Sequence, residues 1–436
     1  MLNAPVSRRQ FTRTIGAAAA ALAAPRLLES VAHASLPEGM PSSTIQLDSN
    51  ENPYGPSPKA LEAITQSQGV ASRYPDGMIE RVRSAVARLH GVESSQVAVG
   101  CGSTEILRVA DMAFLGSQRN VVVAEPTFEA VLDYARVTHA DPVKVPLTPD
   151  FRHDLPRMAA ACTSKTGVIY VCNPNNPTGT IVTREELAEF FKRVPDSTII
   201  LVDEAYHHYI EDPRYATAFE WMGKVSNLII TRTFSKVYGL AGMRLGYAVA
   251  SRELIRAMSQ HLLDDNANAA VLAAAMASLG DADHVARQRR LNNDTRQWLC
   301  AELAKDGRRT IPSQTNFVMI DTGSDVQPVI EQFRSKGILV GRKFPSLGNW
   351  LRVSIGTRRE MEAFLGAFRA IVPATAARRL NSCKNQEALR RRNQSHAARE
   401  GLSLRAIRVK TSEDCQASGE ASGSLPREPW FPKPCG

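Results

Sequence analysis

Lys236 lies in the stretch TFSKVYGLAGMRLGY, residues 233–247, directly after an apolar run and beside the hydroxyls of Thr233 and Ser235. A surface lysine needs no such setting. A lysine that forms a Schiff base must be partly desolvated, so that its neutral amine is available. Arg244, further along the same stretch, can join the hydroxyls in holding a phosphate through bidentate hydrogen bonds. Three other stretches carry matching chemistry. In VDEAYHHY, Asp203 follows the apolar run 199–202, and a carboxylate at such a strand end is costly unless it faces a cation such as a protonated ring nitrogen. In VCNPNNPTG, residues 171–179, Pro and Gly fix a tight loop and leave Asn173 able to donate into a cleft. In VGCGSTE, residues 99–105, Gly100 and Gly102 precede Ser103 and Thr104 at a predicted helix start, an anion site made of backbone N–H groups and the helix dipole. Each stretch alone is a common loop. Their order along the chain, with phosphate cup, loop asparagine, strand-end aspartate, lysine and phosphate arginine in succession, makes the combination specific.

Such residues act together only if rigid elements gather them. Residues 120–126 (NVVVAEP), 166–174 (TGVIYVCNP), 197–206 (STIILVDEAY) and 227–236 (NLIITRTFSK) are short Val- and Ile-rich runs, separated by helical stretches such as 78–90 and 104–114. This alternation predicts buried parallel strands in an α/β sheet. Each run ends in polar residues, which places the chemistry at the carboxyl ends of strands, where open α/β sheets bind ligands. Before them, LDSNENPYGPSP, residues 47–58, reads as an extended arm rich in turn residues. From about Asn266 a long Ala-rich helix is expected, then TNFVMID and WLRVSIGT as strands of a smaller domain. The expected organisation is an arm over 35–57, a large domain over 58–265 and a small C-terminal domain over 266–372.

The chain has 436 residues, 43% hydrophobic and 22% charged, enough for two packed domains. Its formal charge of +9 sits at the ends, +3 in residues 1–34 and +6 in residues 373–436, so the body is neutral and carries no nucleic-acid footprint. Seven scattered cysteines without a C-x-x-C pair predict neither a disulfide scaffold nor a metal site. Residues 1–34 have the layout of a cleavable signal. Arg8 and Arg9 stand in SRRQF, the apolar run 15–24 is too short to span a bilayer, and VAHAS supplies Ala32 and Ala34 in an A-x-A pattern. The paired arginines resemble a twin-arginine export signal, a route that carries folded proteins. The expected location is periplasmic or otherwise exported, with no stable membrane anchoring after cleavage. Residues 373–436 show no sustained apolar period and read as a disordered extension, with a partner-binding segment around Trp430 and Phe431 as the alternative.

The motif order resembles the fold type I pyridoxal-phosphate aminotransferases, and within them the histidinol-phosphate aminotransferase family, over roughly residues 47–369. The resemblance implies a large domain with a mostly parallel sheet between helices, a smaller α+β domain, and pyridoxal 5′-phosphate as cofactor. It implies Lys236 as covalent anchor, Asp203 as partner of the pyridinium nitrogen, and Asn173 and Tyr206 as partners of the ring hydroxyl. Phe128, in EPTFEAV, would cover the ring in place of the family's tyrosine, which keeps the stacking and removes a hydroxyl contact. Ser103, Thr104, Thr233, Ser235 and Arg244 would hold the phosphate. Tyr74, of the RYP motif, would reach the phosphate of a neighbouring subunit, which implies a homodimer. Arg352, in LRVSIGT, would take the substrate carboxylate or phosphate, with Arg342, Tyr54 and Asn173 close by.

The mechanism so implied has a substrate amine displace Lys236, which then moves the α-proton as general base while the cofactor ring accepts electrons. The partners would be an amino donor and a 2-oxo acid acceptor. Two alternatives remain open from sequence: an amino-acid or amino-acid-phosphate decarboxylase or lyase of the same cofactor class, and a cofactor-binding protein without catalysis.

Overall fold

The computed structural model describes residues 44–373. The expected export signal over 1–34, the first part of the arm and the extension after Pro373 lie outside the described residues.

Eleven strands are formed by the described residues: β1 Ile45–Leu47, β2 Val97–Gly100, β3 Asn120–Glu125, β4 Asp141–Pro146, β5 Thr166–Cys172, β6 Ile199–Asp203, β7 Leu228–Thr233, β8 Gly246–Val249, β9 Phe317–Asp321, β10 Ile338–Val340 and β11 Trp350–Ser354. Seven of them build the central sheet in the order β2-β8-β7-β6-β5-β3-β4. The pairs from β4 to β7 are parallel, and β8 is antiparallel to both of its neighbours, so β2 again runs with the majority. The four predicted runs are β3, β5, β6 and β7. Their continuous apolar character has a simple cause, since alternate residues enter two different cores. Tyr170, Cys172, Leu201 and Ile229 face one helix layer, while Ile169, Val171, Ile200, Val202 and Ile230 face the other. Burial of a full Val or Ile side chain contributes roughly 1.5–3 kcal/mol, so a one-residue slip in register is strongly disfavoured.

A second layer of structure follows in the chain. β9 and β11 pair antiparallel, and β1 of the arm pairs parallel with β10. The arm is thereby stitched to the C-terminal part of the chain, and Leu47 is buried among Phe333, Phe364 and Phe368. The single long helix expected from about Asn266 is two helices, Ala269–Leu279 and Ala282–Lys305, broken at Gly280 and Asp281. Glycine and aspartate are poor in helix interiors, and Asp281 is drawn out to pair with Lys59 at 3.0 Å. The first of the two helices buries Val271, Leu272, Ala274 and Ala275 in the core shared with Val82, Val86 and Tyr247. Its small side chains let it lie close against the helices Pro58–Ser67 and Asp76–His90. The large sheet's core therefore extends past the boundary expected at residue 266, and the changeover falls within the helix Ala282–Lys305, whose Leu299 and Leu303 join the C-terminal core.

β6 and β7 are also tied by charge. Arg232 of β7 donates to Glu204, the residue after β6, at 2.7 and 3.0 Å, and both are buried. Thr217 Oγ1 and the Ala218 N–H complete the Glu204 carboxylate at 2.6–2.9 Å, and Phe219 lies 4.5 Å from the guanidinium carbon. Glu204→Gln leaves the Arg232 guanidinium without its acid in a dry site. Chemical denaturation is expected to show a loss of about 3–5 kcal/mol. Lys192→Gln, which removes a solvent-exposed pair with Glu189, is the control and should leave the midpoint unchanged.

Candidate active site

The parallel strands deliver their last residues to one edge of the sheet. Register places Asp203 between Cys172 of β5 and Thr231 of β7, so the strand-end aspartate is central in the sheet. The turn after β7 carries Ser235 and Lys236, and the turn after β3 carries Thr127 and Phe128. Beyond β2, the helix Ser103–Phe114 starts with Gly102 in the left-handed region (φ 82°). These segments, with the arm residues 48–51 and with Arg342, Phe344 and Arg352 from the C-terminal part, enclose one cleft of about 870 Å³.

Lys236 lines this cleft and is half-buried. Its Nζ donates to the carbonyls of Asn50 (3.0 Å) and Ser49 (3.2 Å) and lies 5.5 Å from the Tyr206 ring centroid. Burial first, and then the Arg352 charge, lower its pKa to about 8. Asp203 is 3% exposed. Tyr170 Oη donates to its Oδ2 at 3.0 Å and the Ala205 N–H to its Oδ1 at 3.1 Å. Burial outweighs these donors and pushes its carboxyl up to about 6. Tyr206 Oη accepts from Asn50 Nδ2 at 3.1 Å, and burial keeps the phenol protonated by raising its pKa.

A cup of donors stands at one end of the cleft. Arg244, itself left-handed (φ 65°), donates through Nη1 to Ser235 Oγ at 3.3 Å and through Nη2 to Thr104 Oγ1 at 3.5 Å. Ser103 and Thr104 open the helix Ser103–Phe114, so its first N–H groups point the same way. Glycine is required here because a Cβ on Gly102 would collide with Arg244, and one on Gly246 with the Ser103 backbone. Thr233 Oγ1 accepts from the Ser235 N–H at 3.1 Å and so shapes the cup from behind.

At the other end, Arg352 is half-buried, with no carboxylate in ion-pair distance among the described residues. It donates through Nη1 to Asn176 Oδ1 (2.8 Å) and through Nη2 to the Asp48 carbonyl (2.7 Å), while its Nε has no partner. Desolvation, with the Arg342 charge adding to it, lowers its pKa from the usual arginine value. Arg342 lies at the rim, over Phe344 and paired with Glu129.

Most of the predicted residues therefore meet: Ser103, Thr104, Phe128, Asp203, Tyr206, Thr233, Ser235, Lys236, Arg244, Arg342 and Arg352 all line the cleft. Three do not. Asn173 points away, its Oδ1 accepting from the Val182 N–H at 3.0 Å and its Nδ2 buried without a partner. Asn175 is committed to Pro126, Thr127 and Thr178, so Asn176 is the asparagine of this loop that faces the cleft. The second Asn-Pro pair in NPNNPTG was the available signal. Tyr54 is 37% exposed and does not line the cleft. Tyr74 is 83% exposed and borders a separate cavity of about 360 Å³ with Arg73 and Ala267. Asn50 and the carbonyls of Asp48 and Ser49 carried no signal in the sequence beyond their place in the arm.

The donor set fits pyridoxal phosphate. A desolvated amine, a dry carboxylate with no cation beside it, an aromatic flank in Phe128 and a cup of N–H, hydroxyl and guanidinium donors answer to its aldehyde, ring nitrogen, ring face and phosphate.

Comparison with known proteins agrees with this geometry. Residues 42–368 match the model of the family described as aminotransferase class I and II. The histidinol-phosphate aminotransferase of Moorella thermoacetica is 40% identical over 332 residues, 75% of this chain and 85% of that protein. The aromatic amino acid aminotransferase of Cutibacterium acnes is 37% identical over 323 residues, 74% of this chain and 91% of that protein. The crystal structure of histidinol-phosphate aminotransferase from Sinorhizobium meliloti in complex with pyridoxal-5′-phosphate superposes with a TM-score of 0.72 at 27% identity, covering 76% of this chain and 90% of that one.

The lowered pKa of Lys236 has a direct consequence in solution. A depressed pKa enlarges the neutral, nucleophilic fraction of the amine at neutral pH. In cofactor-free protein, labelling of Lys236 by an amine-reactive reagent should rise through a midpoint near pH 8. A midpoint at the ordinary lysine value near 10.5 would contradict the desolvated setting.

Proposed function

From the premise that this chain belongs to the class I and II aminotransferase family, as a pyridoxal-phosphate-dependent transaminase, we propose that it moves an amino group from an anionic donor of the histidinol-phosphate type to a 2-oxo acid. The observation that carries the substrate reading is Arg352, a half-buried guanidinium that lines the cleft and donates to neutral oxygens. A cation left without an acid is a site for the carboxylate or phosphate of a substrate. Arg334 lines the same cleft, whereas Arg342 and Lys343 there are already paired with Glu129 and Asp325, so the case for a donor with an anionic end rests on Arg352. An aromatic amino acid is the second reading, supported by Phe344 and Phe128 on the walls and by the aromatic relative.

The residues divide the work. Ser103, Thr104, Ser235 and Arg244 hold the cofactor phosphate. Phe128 covers one face of the ring. Asp203 keeps the ring nitrogen protonated, for which its dry carboxylate is suited. When bound, the cofactor supplies the electron sink for the bond broken at the substrate's α-carbon. Tyr206 and Asn176 present a hydroxyl and an amide at the same wall. Lys236 holds the cofactor at rest and, once freed by the incoming amine, carries the α-proton at Nζ. Its lowered pKa makes it a competent base near neutrality.

The remaining expectations stand as part of this proposal. The Arg8–Arg9 pattern supports twin-arginine export to the periplasm after loading in the cytoplasm. The exposed Tyr74 and the cavity beside it support a homodimer in which Tyr74 of one subunit serves the phosphate cup of the other.

Purified protein should be yellow, and Lys236→Ala should lower turnover by about a thousandfold or more while leaving the fold intact by circular dichroism. A panel of donors, histidinol phosphate, histidine, phenylalanine, tyrosine and glutamate, assayed against 2-oxoglutarate, ranks the two substrate readings. Equal kcat/KM for anionic-tailed and neutral-tailed donors would reject the preference for a donor with an anionic end.

A further inference from the structure

Asn50 touches more of this cleft than any role given to it so far explains. It is buried, sits in the left-handed region (φ 56°), and joins three parts of the chain that are far apart in sequence. Its N–H donates to Ser354 Oγ at 2.8 Å. Ser354 Oγ, having accepted there, donates its own hydrogen to Asn50 Oδ1 at 3.2 Å. That contact fixes which way the amide faces, because Oδ1 is turned to Ser354 and Nδ2 must point the other way. Nδ2 then donates to Tyr206 Oη at 3.1 Å. A hydroxyl oxygen that accepts from an amide on one side keeps its hydrogen for another acceptor, and Tyr206 is a residue that lines the cleft. Meanwhile the Asn50 carbonyl accepts from Lys236 Nζ and is steadied by Asn316 Nδ2 at 2.9 Å. Ser354 lies two residues after Arg352 on β11 and does not itself line the cleft.

We propose that Asn50 is a positioning residue that passes a fixed hydrogen-bond direction from Ser354 through its amide to the Tyr206 hydroxyl, so that this hydroxyl donates into the cleft, while its carbonyl holds the Lys236 amine. The inference rests on the aminotransferase reading of the cleft. It makes Ser354, on the strand that carries the substrate-anion arginine, matter to the reacting end of the site without touching it. It also accounts for the backbone conformation, since asparagine tolerates the left-handed region that puts amide and carbonyl on these two tasks at once.

The test uses the full chain loaded with pyridoxal phosphate and two variants. Asn50→Gly suits the positive φ and keeps the carbonyl, but removes the amide. Ser354→Ala leaves the amide in place but frees it to flip. For each, the readouts are thermal stability, cofactor dissociation constant, kcat and KM, and the pH midpoint of the bound cofactor's visible absorbance. A hydroxyl that donates lowers the basicity of the group it faces, so both variants should move that midpoint upward. Both should also lower kcat by about tenfold or more, with a smaller change in KM. The double variant should be no worse than Asn50→Gly alone, because both act through one relay. An unchanged midpoint with only a loss of stability overturns the proposal and leaves Asn50 a structural tie. A shift in Asn50→Gly without one in Ser354→Ala overturns the relay, and should either variant fail to fold, the other carries the comparison of midpoints. Wild-type protein that takes up no cofactor would instead overturn the reading of the cleft, and the inference with it.

Discussion

Three ionisable groups, Lys236, Asp203 and Arg352, meet in one cleft, the aspartate fully buried and the two cations half-buried, and none is ion-paired with another. Burying a charge without its counter-charge is among the most costly acts in folding, and the remainder of the architecture can be read as what makes it tolerable. The cost is visible in the direction each group is pushed: the lysine toward neutrality, the carboxyl upward, the guanidinium downward. A folded chain keeps such groups only where surrounding structure over-determines them. Here that surrounding structure is a seven-stranded sheet buried on both faces, whose strand ends cannot shift without exposing two cores. The buried ion pair of Arg232 and Glu204 joins the residue after Asp203 to the strand that leads to Lys236. It joins the two strand ends that hold the two groups of opposite charge tendency.

What was legible in the sequence follows from the same physics. A strand buried on both faces must be apolar throughout, so β3, β5, β6 and β7 stood out as Val- and Ile-rich runs. A charge at the end of such a run is anomalous, and Asp203 and Lys236 stood out for that reason. Gly102 was legible as part of a glycine turn ahead of the helix at Ser103, whereas Gly246, whose place against the Ser103 backbone also requires glycine, carried no such mark. Other features depended on direction rather than type. Asn173, Asn175 and Asn176 are the same residue within four positions, and which one faces the cleft is decided by Val182, Pro126 and Thr127 in other parts of the fold. Asn50 was illegible for a stronger reason: its partners Tyr206 and Ser354 are 156 and 304 residues away. The break at Gly280 was a local signal overshadowed by the alanine content on either side.

The two half-buried cations share one further property that bears on how the site works. Lys236 is held by the carbonyls of Ser49 and Asn50, and Arg352 by the carbonyl of Asp48 and the amide oxygen of Asn176. All four acceptors are neutral dipoles. A carboxylate in any of these places would have bound the cation more tightly and kept it there. It would have raised the pKa of the lysine and neutralised the arginine, leaving one a poor base and the other a poor anion site. Neutral acceptors orient both groups while leaving their charge unspent, so a substrate anion entering at Arg352 meets a cation that is already aimed and only partly satisfied. Three of the four acceptors come from residues 48–50 of the arm, whose β1 strand is paired with β10. The segment that read in sequence as an extended arm rich in turn residues is thus the common scaffold for the reactive amine and the anion site, and its backbone, more than its side chains, sets the chemistry of the cleft.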